Sequence, residues 1–73
     1  MDPADVQRFL RGDLADDAVQ GFLDALRADP DWTVLEPFDN PPERIFQMVY
    51  QPTRTPYGFR AVRRDRCRWS FVA

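Results

Sequence analysis

The side chains that could do chemistry in this chain are carboxylates and arginines, with little beside them. The twelve acids face ten basic residues, every one an arginine, and histidine and lysine are absent. Without histidine there is no imidazole base and no Ser-His or Cys-His pair. Without lysine there is no Schiff base and no phosphate-loop lysine. The single cysteine, Cys67, cannot close an internal disulfide or build a thiolate metal site alone, and the single serine, Ser70, has nothing to activate it. Paired carboxylates could still serve acid/base work or hold a cation. Glu36, Asp39 and Glu43 bracket a proline-rich loop and form the nearest approach to such a cluster. Turn chemistry explains Asp39 equally well, and no calcium-loop spacing appears. The chain is read as non-enzymatic, with no metal and no cofactor.

What remains is binding, and charge suggests two surfaces. Residues 1–43 carry eleven acids and three arginines, a net −8, while residues 44–73 carry seven arginines and Asp65, a net +6; together they give the overall −2. Such asymmetry can mark interaction surfaces of defined sign, or two halves that attract each other in the fold. The acidic candidate is one side of a helix carrying Asp13, Asp16, Asp17 and Asp24, which could mimic a row of phosphates; the ordinary alternative is a solvated helix face. The basic candidate is a sheet face with Arg60, Val62, Arg64, Arg66 and Arg68.

The elements that must position these groups can be read from spacing. A chain of 73 residues is one domain, a helical acidic half over 1–30 followed by a basic β half over 31–73. It buries only about 60% of the surface its unfolded form exposes. Asp2-Pro3-Ala4-Asp5 is a helix start, with an aspartate cap and proline in the first turn. Val6, Phe9 and Leu10 recur at helical spacing and Gly12 ends that helix. Asp13 is expected to cap a second helix whose apolar set is Ala15, Ala18, Val19, Phe22, Leu23 and Leu26, stopped by Asp29-Pro30.

From Trp32 the pattern turns to β. Trp32–Leu35 reads as a short strand closed by the Asp39-Asn40-Pro41-Pro42 turn. Residues 44–51 mix helix and strand signals, and Ile45, Phe46, Val49 and Tyr50 favour strand. Pro52–Pro56 reads as a loop and the remainder as two alternating strands around Arg64-Asp65-Arg66. That loop would set Ala61 opposite Trp69 and Phe59 opposite Phe71, with Met48 opposite Phe59 and Cys67 buried beside the aromatics. The expected architecture is α+β, with two N-terminal helices packed on one face of a small antiparallel β-sheet meander of three to four strands.

The other face would carry Ile45, Gln47, Val49, Arg60, Val62, Arg68, Ser70 and Val72, an apolar stripe fringed by arginine with no element left to cover it. Strand propensity alone could account for the stripe, and so could an interface. No basic region followed by an apolar run stands at the start, and apolar runs are two or three residues long, so neither a secretory signal nor a membrane span is expected. A lone thiol fits a reducing cytoplasm.

The segment Gly58-Phe59-Arg60-Ala61-Val62-Arg63-Arg64-Asp65-Arg66-Cys67-Arg68-Trp69 resembles the arginine-bearing final hairpin of RelE/ParE-type toxins over about a sixth of the chain. Those toxins begin with a strand before two helices and this chain begins with a helix, so no residue role is carried over. The functional expectation is a small protein-binding module, an inhibitor or regulator of a nucleic-acid-handling protein. That is also the format of phage-encoded inhibitors and antitoxins. Its alternative is nucleic-acid binding by the arginine-rich sheet face, and a homodimer through the open face or an edge strand is a further candidate.

Overall fold

A computed structural model of the protein describes residues 1–72. Helix α1 spans Pro3–Phe9, and the Asp2 carboxylate accepts the Ala4 N–H at 2.9 Å, so the cap and the first-turn proline act as the sequence suggests. Gly12 then takes a positive φ of 66°, which glycine adopts without a Cβ penalty. It turns the chain into a short strand, β1 (Gly12–Ala15), before helix α2 (Asp16–Ala28) begins. Strands β2 (Trp32–Val34), β3 (Phe38–Asn40), β4 (Glu43–Tyr50), β5 (Thr55–Asp65) and β6 (Arg68–Val72) follow.

The architecture is α+β with an antiparallel sheet, but the sheet is larger than expected: six strands rather than three or four, in the order β1-β6-β5-β4-β2, with β3 also on β4. The helices are not two consecutive N-terminal elements, because β1 separates them and pairs with the last strand. Asp13 therefore does not cap α2. It lies in β1 opposite Ser70, and the residue before α2 is Ala15, whose side chain makes no cap. The reason is long-range: pairing with β6 places Leu14 opposite Trp69, at the core's edge, and this outweighs three more residues of helix. A pairing that reaches from residue 12 to residue 71 leaves no local signal.

The β4–β5 and β5–β6 registers each differ from expectation by two residues. Phe46 pairs with Phe59, Met48 with Tyr57 and Ala61 with Phe71. In the first hairpin the turn is Gln51–Arg54, with Arg54 at φ 54°, so Thr55 and Pro56 join the strand. In the second, the Asp65 carboxylate accepts the Cys67 N–H at 2.8 Å, a side-chain turn that makes Arg66 and Cys67 the loop and leaves a bulge at Arg64. Cys67 is consequently exposed, not buried. A shift of two preserves which face each side chain takes. The inner face therefore still carries the aromatic residues.

Val19, Leu23 and Leu26 from α2, with Val6 from α1 and Leu10 just after it, bury themselves against Trp32, Phe46, Met48, Ala61, Trp69 and Phe71. Each large side chain so buried contributes about 1.5–3 kcal/mol. Both indole N–H groups find acceptors: Trp32 donates to the Met1 carbonyl at 2.8 Å and Trp69 to the Asp16 carboxylate at 2.7 Å. The Met1 amino group pairs with Asp29, which also accepts the Asp31 N–H. The hydrogen bond to Asp29 raises the amino pKa, and the same bond holds the Asp29 carboxyl below its usual range.

Candidate functional site

Directly paired residues in a sheet share a face, so the register sorts the surface opposite the helices. Phe38, Ile45, Arg60 and Val72 form one row across four strands. The neighbouring row runs Asn40, Glu43, Val62, Ser70 and Asp13. On the other side, Leu35 donates its N–H to the Gln47 carbonyl at 3.0 Å and so extends the row of Gln47 and Gly58.

None of these side chains belongs to the buried cluster that the helices cover. Four large hydrophobic residues are exposed among those described, and three of them, Leu35 at 44%, Phe38 at 47% and Val72 at 40%, stand on this one face; the fourth is Met1. Ile45, Val49 and Val62 are half-buried between them. A solvated sheet face is ordinarily polar along its outward positions.

The basic candidates mostly meet here. Arg60 pairs with Glu43 at 3.4 Å, and Arg64, at the bulge, reaches the Ser70 hydroxyl at 3.4 Å. Arg68 opens β6, opposite Ala15 on the same face, while Val62 sits half-buried in the middle. Arg66 lies apart in the hairpin turn. Asp13 joins this face as well, so the surface is mixed in sign.

The acidic candidates are not brought into one row. Asp13 is on the sheet, and Asp16 is taken up by the Trp69 indole, with Arg63 at 3.5 Å. Asp17 is exposed in the first turn of α2, and Asp24 pairs with Arg27 at 3.0 Å. The proline-loop carboxylates are also engaged: Asp39 holds Arg44 at 2.8 Å and Glu43 holds Arg60. No group of three or more metal-ligating side chains converges among the described residues.

Leu35 and Phe38 are the site residues that pattern reading misses. In sequence Leu35 only ends a short strand run, and Phe38 precedes what looks like a pure turn. Leu35 follows β2 and Phe38 opens β3, and these two strands bind successive parts of β4. Arg63 is a second omission. Its guanidinium lies 3.9 Å from the Trp69 ring centroid, on the helix side of the sheet.

No protein-family model, curated protein or solved structure matches this chain. No helix among the described residues is long and apolar enough to cross a membrane.

Proposed function

We propose that this chain is a protein-binding module that works by occupying a partner's surface rather than by chemistry, and that it docks through the sheet face opposite its helices. The observation that carries the reading is the gathering of Leu35, Phe38 and Val72, all at least 40% exposed, around half-buried Ile45, Val49 and Val62. Apolar groups fringed by arginine are the composition of an interface core and its rim. The total exposed surface, 4752 Å², is about what a monomer of this mass presents. What distinguishes the molecule is the placement of its apolar surface. A single small domain of this kind fits an inhibitor or regulator.

The test compares the wild-type chain with a Leu35→Ser/Phe38→Ser/Val72→Ser variant in affinity capture from the native host. The reading expects a partner retained by the wild type and lost by the variant. A partner retained equally by both would overturn it.

Nucleic-acid binding is the second reading, supported by Phe38 in the same row as Arg60, since an exposed aromatic beside arginine is what base stacking uses. Glu43 and Asp13 on that face, and a net charge of −2, oppose it. Anisotropy with labelled single- and double-stranded oligonucleotides separates the readings. Binding that falls steeply with salt supports the second, and no binding at low salt removes it.

A further inference from the structure

Strand β1 closes one end of the sheet, with β6 on one side and, among the described residues, no strand on the other. Directly opposed residues of an antiparallel pair alternate between those that exchange ladder hydrogen bonds and those that do not. The Asp16 N–H donates to the Cys67 carbonyl at 2.6 Å, so the bonded pairs that follow are Leu14 with Trp69 and Gly12 with Phe71. Asp13 and Ala15 therefore turn their main-chain groups away from β6. The Ala15 carbonyl begins the ladder of α2, which leaves the Ala15 N–H and both groups of Asp13 at the open edge.

An open edge is a template for another strand, and proline is a common guard against it. Pro37 interrupts the margin between β2 and β3, and Pro56 lies in the part of β5 that β6 does not reach. β1 carries no proline. Asp13 and Arg68 are exposed beside this edge, and among the described residues neither makes an ion pair. On the helix side Leu14 is half-buried at the rim of the core.

We infer that β1 pairs antiparallel with β1 of a second copy of the chain, about a two-fold axis at Leu14. Asp13 of each copy then stands opposite Ala15 of the other, and each Ala15 N–H donates to the other copy's Asp13 carbonyl. The two Leu14 side chains meet on the axis and join the apolar rows that begin at each Trp69. On the outer face Arg68 lies opposite Ala15, so it shares a row with the second copy's Asp13, with only the Ala15 methyl between them. The aspartates come diagonal to each other, bracketed by the arginines in a cluster of no net charge. Setting Asp13 opposite its own copy would instead oppose like charges directly. The inference does not rest on the docking reading above. Asp13 and Arg68 stand at the margin of that face, and Leu35, Phe38 and Val72 stay uncovered in the dimer.

The test is sedimentation equilibrium of the full chain at rising concentration. The mass is expected to move from 8.6 kDa towards twice that by millimolar chain, since so short an edge gives a weak dimer. Ala15 has φ −66° and ψ 144°, which proline adopts, and its N–H is not bonded to β6, so Ala15→Pro should leave the chain folded. It should weaken the dimer about a hundredfold, because both edge hydrogen bonds are lost. Arg68→Glu should weaken it about tenfold, and Asp13→Lys/Arg68→Glu, which exchanges the signs, should recover most of that loss. A single species at every concentration overturns the inference, as does a dimer unchanged in Ala15→Pro or a double variant no tighter than Arg68→Glu. Loss of the dimer in Leu35→Ser/Phe38→Ser/Val72→Ser would move the contact to the docking face and overturn it too. The docking reading is decided separately, by partner capture.

Discussion

The Asp16 carboxylate, on the first residue of α2, accepts the indole N–H of Trp69 at 2.7 Å across fifty-three residues of chain. The Asp16 N–H meanwhile donates to the Cys67 carbonyl at 2.6 Å, so the helix start is tied to the final hairpin by backbone and side chain together. Trp69 is 6% exposed, and its N–H needs an acceptor that is not water. An acid that reads in sequence as one of a solvated row is therefore a structural acceptor.

Asp16→Ala is expected to cost about 1–3 kcal/mol, the penalty for leaving a buried donor unsatisfied. Asp16→Asn keeps an oxygen acceptor and should cost less. Urea unfolding reads both. Adding Trp69→Phe to Asp16→Ala removes the orphaned donor, so the double variant should lose less than the sum of the singles. Strict additivity would show that the contact carries no coupling.

The glycines at 12 and 58 should respond oppositely to substitution. Gly12 sits at φ 66°, so Gly12→Ala is expected to destabilise by about 1 kcal/mol through backbone strain alone. Gly58 has ordinary strand geometry with open space over its Cα, so Gly58→Val should be stabilising by about 0.5–1 kcal/mol. Thermal midpoints of the two variants, moving in opposite directions, check the pair.

Cys67 is exposed in the Arg66–Cys67 turn. It should react stoichiometrically with a thiol reagent in the native state, without denaturant and with no change in far-ultraviolet circular dichroism. Protection until unfolding would instead indicate the buried position that strand alternation suggested.

The pairing of Met1 with Asp29 should give stability a defined pH window. The Asp29 pKa is lowered in the fold, chiefly by the hydrogen bond from the amino group, so its contribution is full above the ordinary 3.8 and is lost as pH falls through the lower folded value. The amino pKa is raised, chiefly by the hydrogen bond to Asp29, so its contribution is full below 8.0 and is lost as pH rises through the higher folded value. Carbon-detected titration of the Asp29 carboxyl should give a midpoint below 3.8, and acetylating the amino group should return it part of the way. The Asp31 N–H would still hold the remainder.

The N-terminal helix, the end of α2 before Asp29, the strand character of β4 and the face each strand residue takes all follow from local rules: a capping aspartate, a proline stop and alternation with period two. A register error of two residues left the faces intact for the same reason. The exclusions based on missing histidine and lysine belong to composition and need no fold. Tertiary structure decided the rest. Asp13 became a strand residue, and Asp16 a partner of Trp69, only because β1 pairs with β6 from the far end of the chain. Phe38 became part of a bare apolar face only because β3 joins β4 where the sequence shows a turn. Cys67 left the core because one Asp65 side-chain bond reset the hairpin. Each of these turns on which distant backbone groups pair, and a pattern read along one segment holds no record of its partner.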